Sequence, residues 1–247
     1  MLVTIISVAF NSEKTISKTI ESVLSQTYSN IEYIIVDGAS SDGTVEVAKT
    51  YEEDFKKSNG KTLTIISEKD NGMYDALNKG VALAKGEIIG NINTDDWYEP
   101  DAVEKMVALY KETDYHAAWG SLNVVKNNGS FVKRAKAGKK IWLTTGWCHP
   151  AMFARKEILR EFPYACENMY DDWDFITRVH LANKKIVTTN EIISNFAFGD
   201  GGQSTKKSFK EAMRRVRITY GIYRKHGMSR LYWFHRFVVE FVKFLIG

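Results

Sequence analysis

The chain has 247 residues, a formal net charge of +4 at pH 7 and 44% hydrophobic residues. This composition is ordinary for a globular protein with a sizeable core, and the length allows one large α/β domain or two small ones. The small net charge argues against a general nucleic-acid-binding protein but permits a local contact with phosphate or a membrane surface. The two cysteines, Cys148 and Cys166, form no metal-binding or redox motif, so we expect reduced thiols.

Strand and helix patterns alternate along the first half of the chain. Short apolar runs at residues 3–8, 31–36, 63–67 and 88–92 predict four buried strands. Helical patterns lie between them: one with Ser12 as its N-cap, one from Thr44 to about Lys57, and one from Met73 to Gly86. This alternation indicates a parallel sheet with helices on both faces.

Polar loops follow the four strands and begin at Asn11, Asp37, Asp70 and Asp95. The carboxyl ends of parallel strands meet at one edge of a sheet, where α/β proteins bind their ligands. We therefore expect one crevice that gathers Asn11, Asp37, Asp75 and the adjacent pair Asp95 and Asp96.

Asp95 and Asp96 are adjacent carboxylates that repel each other unless a cation lies between them and a ligand. A divalent cation that bridges to phosphate oxygens fits this pair, because Mg²⁺ is usually held by one or two carboxylates together with phosphates. The alternative is structural, since either carboxylate could cap the helix that Pro100 opens. The pair alone leaves both interpretations open.

The second half of the chain has a looser pattern. Residues 117–125 and 131–134 predict a hairpin across the turn Asn127-Asn128-Gly129, and residues 151–154 predict a further strand. His149, in the loop Gly146-Trp147-Cys148-His149-Pro150, is either structural or functional. A basic run near the hairpin is either solvated surface or a contact for an anionic acceptor: Lys133, Arg134, Lys136, Lys139 and Lys140.

A second acidic group, Asp171-Asp172-Trp173-Asp174, opens a predicted helix. The helix dipole favours acids in a first turn, so a structural explanation exists, although three acids exceed what a cap needs. The loop from Gly199 to Ser204 is rich in glycine and precedes another helix, so we expect it to be able to cover a site.

Residues 228–247 form an apolar helical pattern with a narrow polar stripe of Arg236, Glu240 and Lys243. Such a helix packs on the domain, pairs with another chain, or lies in a bilayer interface with its basic side toward anionic headgroups. No stretch predicts a membrane span. The N-terminus runs into a strand pattern without a basic leader, so no signal peptide is expected.

Five motifs, taken in order, resemble the family 2 glycosyltransferases with the GT-A fold, and in particular bacterial enzymes that build O-antigen and exopolysaccharide units. The motifs are VAFNSE from Val8, SQTYSNIE from Ser25, VDGASSDGT from Val36, DNGMYDALNKG from Asp70 and NTDD from Asn93. The likeness is close over the first half, continues more loosely to Ser204, and is specific because five motifs share order and spacing. It implies an α/β fold of the GT-A type: a mostly parallel, Rossmann-like sheet flanked by helices, with a C-terminal helical extension.

The resemblance implies an inverting transfer from a nucleotide-diphosphate sugar, with UDP as the family's usual nucleotide and Mn²⁺ or Mg²⁺ as cofactor. Asp172 is the implied catalytic base and Asp171 its rival, since the first acid of the family motif is normally Glu. The implied residues near the acceptor lie in three segments: His149, in a loop with Pro150 in place of the usual Gln; Trp173, in the acidic motif; and Gly202, in the family's mobile Gly-Gly-x-Ser loop. The implied nucleotide-sugar site comprises Ala9, Phe10, Asn11, Asp37, Gly72, Asp75, Asp95 and Asp96, with Asp96 as the metal ligand.

The predicted domains are a GT-A domain at residues 1–205, with a nucleotide-sugar half (1–112) and an acceptor half (113–205), and an amphipathic helical region at 206–247. The predicted partners are a nucleotide sugar, a lipid-linked saccharide acceptor and a membrane surface contacted through residues 228–247. No nucleic acid is expected, and the oligomeric state is open. The predicted location is cytoplasmic, at the inner face of the cell membrane.

Two other functions compete with this prediction. A nucleotidyltransferase on a similar scaffold would carry a Gly-rich, Lys-bearing phosphate loop near the first strand, and none is present. A non-catalytic nucleotide-sugar-binding protein would not need two intact acidic groups.

Overall fold

The computed structural model describes residues 1–126, 130–138, 147–198 and 208–246. Its first half contains β1 (Val3–Ala9), α1 (Ile16–Leu24), β2 (Ile31–Asp37), α2 (Thr44–Lys49), α3 (Glu52–Lys57), β3 (Lys61–Ser67), α4 (Met73–Leu83) and β4 (Ile88–Asn91). Its second half contains β5 (Trp97–Tyr98), α5 (Ala102–Thr113), β6 (Ala117–Lys126), β7 (Phe131–Ala135), a 3₁₀ turn (His149–Ala151), β8 (Met152–Arg155), α6 (Lys156–Glu161), α7 (Asp171–Leu181), β9 (Ile186–Phe198), α8 (Phe209–Lys225) and α9 (Tyr232–Ile246).

The described strands form one sheet in the order β3-β2-β1-β4-β8-β6-β9-β5, with β7 paired to β6. The strands β1 to β4 run parallel, as the alternating pattern predicts. Strand β8 pairs antiparallel with both β4 and β6, while β6 and β9 run parallel. The sheet is therefore parallel in the half that carries the four polar loops and mixed in the other half.

Two hydrophobic clusters cover the two faces of this sheet. Alternate side chains of a strand point to opposite faces, so Ile5 joins the cluster with α1, α3 and α5, while Ile6 joins the cluster with α4, α6, α7 and α8. Every residue of β2 is buried, as expected for a strand covered on both faces. This packing fixes the strand ends and, through them, the loops that follow.

Two predicted helices differ from the structure at their bounds. The first begins at Ile16 rather than directly after Ser12, because the Ser12 hydroxyl donates to the Phe10 carbonyl and does not cap the helix. The second, predicted from Thr44 to about Lys57, is divided into α2 and α3. Neither proline nor glycine lies between the two pieces, so nothing local predicts the break.

The sequence predicts that Gly86 ends the helix that begins at Met73, and this prediction is wrong because α4 already ends at Leu83. Its N–H instead donates to Thr4 Oγ1 at 2.9 Å. A Cβ at this position would lie 2.4 Å from the Thr4 backbone nitrogen. Glycine is needed here because the chain packs closely against β1.

The second half contains one long strand that the sequence does not predict. Strand β9 spans 13 residues, but its hydrophobic pattern is interrupted by the polar run Thr188-Thr189-Asn190-Glu191. Its pairing with β6 changes register at the same place, between Trp119 and Ser121. The interruption is therefore a bulge within one strand and not a loop between two.

Strands β6 and β7 form the predicted hairpin. Its turn, Asn127-Asn128-Gly129, lies outside the described residues. The same holds for Lys139 and Lys140 of the basic run, for the glycine-rich loop from Gly199 to Ser204, and for the predicted domain boundary at residues 205 and 206.

Candidate active site

The loops after β1 and β2 are joined by hydrogen bonds at the carboxyl edge of the sheet. Asn11 adopts a left-handed conformation with φ of 50°, and its backbone N–H donates to Ser40 Oγ at 2.8 Å. Its side-chain oxygen accepts from the Ser41 N–H at 2.9 Å. Phe10 remains 67% exposed beside this junction, and the preceding Ala9 is buried at the end of β1.

Asp37 lies beneath the second loop and is fully buried. Its carboxylate accepts from the Ser40 N–H at 3.0 Å and from Ser67 Oγ at 2.6 Å. The side chain therefore organises the loops after β2 and β3.

The loop after β3 approaches the loop after β2 at Gly38. A Cβ on Gly38 would lie 2.5 Å from Asp70 Oδ2, so a larger residue here would require the Asp70 carboxylate to move. The Asp70 carboxylate in turn accepts from the Gly72 N–H at 2.8 Å, and Gly72 has φ of 113°. Asp75 accepts from the Asn71 N–H at 3.0 Å, which closes the loop onto the first turn of α4.

Asp95 and Asp96 follow β4 at the same edge, where Thr94 Oγ1 donates to Ser12 Oγ at 2.7 Å. Asp95 is exposed, whereas Asp96 is fully buried. The Asp96 carboxylate accepts from the Ala197 N–H at 2.9 Å and from Asn93 Nδ2 at 3.2 Å. Burial, and then the charge of Asp95, raises the pKa of Asp96 well above its usual range.

Neither carboxylate of this pair caps a helix, so that structural alternative is wrong. Helix α5 begins at Ala102 with Asp101 at the N-cap, and β5 lies between that helix and Asp96. Among the described residues, no Lys or Arg forms an ion pair with Asp95 or Asp96 within 4.0 Å, and no group of three or more His, Cys, Asp or Glu could hold a metal alone. One or two carboxylates without a cation suit a hard ion that keeps water and phosphate oxygens as its other ligands.

The first two carboxylates of the second acidic group differ, since one is structural and the other faces a cavity. Asp171 is 1% exposed and accepts from the backbone N–H groups of Glu167 and Asn168 at 2.8 and 3.2 Å. Asp172 is partly exposed and faces a cavity of about 130 Å³. Burial raises the pKa of Asp172 to about 6, opposed by the hydrogen bond from the Trp173 N–H at 2.8 Å.

The cavity beside Asp172 has mainly aromatic walls. Its lining residues come from β6, the segment before β8, β8, α7 and α9: Trp119, Trp147, His149, Met152, Tyr170, Asp172, Trp173 and Arg236. Pockets that enclose drug-sized ligands occupy roughly 300–1,000 Å³. This cavity is smaller, so it matches a single sugar ring better than a whole nucleotide sugar.

His149 is a partly buried, neutral side chain in this wall. Burial lowers its pKa to about 4. Its Nε2 lies 2.7 Å from Asn91 Nδ2, and with the amide nitrogen as donor the imidazole proton is on Nδ1. The ring also packs edge-on against Tyr74, with centroids 6.2 Å apart. His149 therefore contributes shape and polarity and is a poor base near pH 7.

The C-terminal helices complete the cavity. Directly after α8, His226 Nε2 lies 2.7 Å from Asp174 Oδ1, and on α8 Tyr223 packs edge-on against Trp173. On α9, Arg236 is buried, lines the cavity and is bound to Glu240 at 3.0 Å. The predicted polar stripe of α9 thus faces the protein at these two positions and not the surface.

The opposite side of α9 is apolar and exposed. Trp233, Phe237 and Phe241 stack along it with centroids 5.2 and 5.7 Å apart. Leu231, Phe234, Val238, Val242 and Phe244 are also exposed. In the parts of the chain that the structure describes, no helix has the length and apolar content needed to cross a bilayer.

The structure thus places the predicted residues in two connected groups. Asn11, Asp37, Gly72, Asp75 and Asp95 lie with Asp96 at the loop edge of the parallel strands, while His149 and Trp173 lie with Asp172 at the cavity. Gly202 lies outside the described residues. The sequence prediction missed Tyr74, Trp119 and Arg236, although Tyr74 stands inside a motif whose neighbours were selected.

Fold and site together define an α/β protein with a polar loop edge at the parallel strands and, beside it, an aromatic cavity that Asp172 lines. A sequence model of glycosyl transferase family 2 matches residues 4–175, more than half of the chain. The chain therefore belongs to glycosyl transferase family 2.

Several relatives support this membership. The chain is 26% identical over 246 residues to the UDP-Glc:alpha-D-GlcNAc-diphosphoundecaprenol beta-1,3-glucosyltransferase WfgD of Escherichia coli, covering 98% of this chain and 94% of that protein. It is 32% identical over 204 residues to an uncharacterized glycosyltransferase of Haemophilus influenzae, covering 72% and 61%. It spans 54% of a Nostoc relative, the uncharacterized glycosyltransferase alr2836, at 28% identity over 66% of this chain.

Solved structures show the same fold. Staphylococcus aureus TarS 1-349 in complex with UDP-GlcNAc has a TM-score of 0.72 at 18% identity, covering 99% of this chain and 72% of that one. The mannosyltransferase PcManGT of Pyrobaculum calidifontis, in complex with GDP-Man and Mn²⁺, has a TM-score of 0.68 at 19% identity, covering 91% and 63%. The GT-A fold is thereby confirmed, and the transferase prediction is favoured over the two alternatives.

Proposed function

We propose that this chain is a metal-dependent, inverting glycosyltransferase that moves a hexose from a nucleotide-diphosphate sugar, with UDP as the nucleotide, to a saccharide acceptor. The observation that carries the proposal is the pairing of two separate acidic sites. One is Asp95 with Asp96 at the end of β4, and the other is Asp172 at the cavity. Tyr74 follows the loop after β3 at the start of α4 and packs edge-on against His149 of the cavity wall, so it connects this loop to the cavity.

On this proposal the nucleotide lies across the loops after β1, β2 and β3. The exposed Phe10 offers an aromatic face for the base between Ala9 and Asn11. Asp37 holds the loop that borders the base, and Gly72 and Asp75 shape the loop nearest the sugar. Asp95 is exposed and is assigned to the ribose.

Asp96 is the proposed ligand of the divalent cation, Mn²⁺ or Mg²⁺. Its buried carboxylate lacks a described cationic partner and has a raised pKa, which is the situation of a site that a positive ion would neutralise. When bound, such a cation stabilises the negative charge that grows on the nucleoside diphosphate as the sugar bond breaks.

Asp172 is the proposed general base. With a pKa of about 6 it is deprotonated at neutral pH and can accept the proton of an acceptor hydroxyl in the cavity. The transition state of displacement at an anomeric carbon has oxocarbenium character, as in glycoside hydrolysis. Among the described residues that line the cavity, Asp172 is the one carboxylate, so no second nucleophile is at hand. One displacement with one base inverts the configuration.

The aromatic cavity is the proposed acceptor site. The name of WfgD specifies a saccharide joined to a diphosphate lipid as its acceptor, and the two chains match over nearly their whole lengths. We extend this acceptor class to the present chain and place it in the synthesis of a cell-surface polysaccharide.

A first test is a screen of nucleotide sugars by thermal shift with Mn²⁺ present. A true donor at a hundred times its Kd should raise the Tm by roughly 5 °C or more, since ligand binding stabilises the folded state by mass action. The selected donor should then yield a nucleoside diphosphate when an acceptor is added. Release of pyrophosphate would instead favour a nucleotidyltransferase.

The proposed location is the inner membrane surface, with α9 in the bilayer interface. Its exposed aromatic side suits insertion among acyl chains and headgroups, and exposed cations lie nearby at Arg217, Arg224 and Arg230. We expect Phe234→Gln to weaken binding to anionic phosphatidylglycerol vesicles by at least about tenfold, because a buried phenylalanine contributes roughly 1.5–3 kcal/mol.

The matched control for this measurement is Phe131→Gln on β7. Phe131 and Phe234 are 62% and 65% exposed, so the two changes remove the same kind of surface from different elements. Vesicle co-sedimentation should separate the two variants. A weakened dimer with unchanged vesicle binding would show that α9 contacts a second copy of the chain and not a membrane.

A further inference from the structure

The cavity beside Asp172 has a cationic side chain in its wall. Among the described residues that line it, Arg236 is the one with a permanent positive charge, and Asp172 is the one carboxylate. The two come from different helices, α9 and α7. Because the cavity suits a single sugar ring, a sugar that fills it would have a carboxylate and an arginine in its surroundings at the same time.

Arg236 is held in place by hydrogen bonds to both C-terminal helices. Its side chain is 1% exposed, its Nε donates to Thr219 Oγ1 on α8 at 3.2 Å, and its Nη2 donates to Glu240 Oε1 on α9 at 3.0 Å. An arginine side chain loses much rotamer entropy when it is ordered, and here the fold has already ordered it. The planar guanidinium group is therefore preorganised before any ligand binds.

Two guanidinium groups share the carboxylate of Glu240. Arg215 on α8 donates from its Nε to Glu240 Oε2 at 2.6 Å, whereas Arg236 donates to Oε1. The formal charge of these three side chains together is +1. Arg215 is not among the described residues that line the cavity, so Arg236 is the member of this cluster that presents the positive charge there.

The helix that carries Arg236 also carries the surface proposed to contact lipid. The opposite side of α9 is apolar, and Phe234 and Val238 on it are 65% and 43% exposed. In a saccharide joined to a lipid through phosphate, the charged group lies between the sugar and the hydrocarbon chain. Such a molecule needs a base at the sugar, a cation at the phosphate and an apolar surface for the chain, and Asp172, Arg236 and α9 supply these three.

We propose that Arg236 binds the phosphate that joins the acceptor saccharide to its lipid, and so selects lipid-linked over free saccharides. This inference rests on the proposed function of the cavity as the acceptor site. The guanidinium fork can donate two parallel hydrogen bonds to phosphate, which fixes orientation as well as affinity. With the phosphate held at Arg236, the sugar next to it occupies the cavity and turns a hydroxyl toward Asp172.

The test uses n-decyl diphosphate, a probe that has the charged group and an alkyl chain but no sugar. EDTA is present so that no divalent cation carries the diphosphate to Asp96. Arg236→Met should raise the Kd measured by calorimetry roughly 10- to 100-fold, the effect of losing hydrogen bonds to a charged group. The uncharged n-decyl maltoside should bind both proteins alike. An unchanged Kd for the diphosphate, or no binding to wild type, would overturn the proposal.

The matched control is Arg215→Met, which removes the other cation from the same carboxylate. Either variant leaves Glu240 paired with the remaining arginine, so both should fold. Arg215→Met removes the charge without removing a cavity contact and should weaken binding of the probe much less. Equal losses in the two variants would overturn the direct contact and leave only the charge of the cluster.

Arg236→Lys is a second variant that keeps the charge next to Glu240 and is suited to the case in which Arg236→Met melts early. Lysine lacks the planar fork, so this variant should bind n-decyl diphosphate less tightly than wild type and more tightly than Arg236→Met. Wild-type affinity in Arg236→Lys would overturn the assignment of the fork to the phosphate.

Two further titrations distinguish the source of the phosphate. UDP with Mn²⁺ should bind wild type and Arg236→Met with the same Kd, and a loss equal to that of n-decyl diphosphate would instead assign Arg236 to the donor. Inorganic pyrophosphate in EDTA should bind wild type much more weakly than n-decyl diphosphate, because it lacks the chain that α9 would contact. Equal affinities would show a site for free phosphate and overturn the lipid-linked ligand.

The failure of the proposed function would be recognised separately. A wild-type chain that transfers no sugar would overturn the proposed function, while the n-decyl diphosphate titration would still decide the role of Arg236. In an active enzyme, Arg236→Met should raise KM for a saccharide linked to a lipid diphosphate and leave KM for the matching alkyl glycoside unchanged. A purely structural role of Arg236 would change both KM values alike.

Discussion

Asp172→Asn is expected to abolish sugar transfer while leaving donor binding intact. General-base catalysis contributes about 10²- to 10⁴-fold, and an amide cannot accept the proton of the acceptor hydroxyl. The substitution changes one atom and keeps an oxygen that can accept from the Trp173 N–H, so the fold should persist. Transfer is measured by release of nucleoside diphosphate, and donor affinity by titration calorimetry in the presence of Mn²⁺.

Asp171→Asn is the matched control at the neighbouring position. Its carboxylate accepts from two backbone N–H groups of the preceding loop, so the change should weaken that loop and lower the Tm. Its kcat should fall much less than that of Asp172→Asn. If the two variants exchanged these effects, Asp171 would be the base. If Asp172→Asn lost donor affinity instead of transfer, Asp172 would belong to the donor site.

The pH dependence of wild type provides an independent check on the same assignment. The pKa of Asp172 is raised to about 6 by burial, so the base is protonated and inactive well below pH 6 and active above it. In Asp172→Asn the residual rate should lose this acid limb. Persistence of the limb in that variant would point to another titrating group.

The parallel half of the fold could be predicted from the sequence because its signals are local. Strands β1, β2 and β4 are short apolar runs, and each is followed by a polar loop at the end of the strand. Parallel pairing then requires that these loops share one edge of the sheet. The motifs add the same order along the chain, so the residues of this loop edge could be named individually.

The cavity could not be predicted in the same way, because distant segments of different type form it. Trp119 lies in β6 and Arg236 in α9, and their meeting depends on how α8 and α9 pack against α7. Arg236 and Glu240 read as a surface stripe in the sequence, since charged residues are rarely buried unless paired. Their ion pair, and that of Arg215 with Glu240 at 2.6 Å, explains their burial.

The roles of individual acids also depend on packing that the sequence does not display. Asp171 and Asp172 are adjacent and chemically identical, yet one accepts loop N–H groups and the other faces the cavity. The same contrast separates the buried Asp96 from the exposed Asp95. A motif therefore identifies the pair, while burial and hydrogen bonding decide what each member can do.

Asp96→Asn is expected to separate stability from activity. When the pKa of a carboxyl is higher in the folded than in the unfolded state, the fold loses stability with rising pH. The loss begins at about pH 4, the pKa of an unfolded Asp, and continues up to the pKa of the folded state. The pKa of Asp96 is raised in this sense. At pH 7 to 8 without metal, the neutral variant should therefore be at least as stable as wild type. Its amide oxygen can still accept from the Ala197 N–H, and the Asn93 amide can turn its oxygen toward the new NH₂ group.

Metal binding should reverse the order of stability of wild type and Asp96→Asn. Addition of Mn²⁺ with a nucleoside diphosphate should raise the Tm of wild type and leave that of Asp96→Asn nearly unchanged, since a ligand stabilises only the state that binds it. Transfer by the variant should be lost at every Mn²⁺ concentration. Asp101→Asn, at the N-cap of α5, controls for the removal of a carboxylate from the same segment. Full turnover by Asp96→Asn, or an equal response to Mn²⁺ in both proteins, would show that the metal binds elsewhere and that the buried charge of Asp96 serves the fold alone.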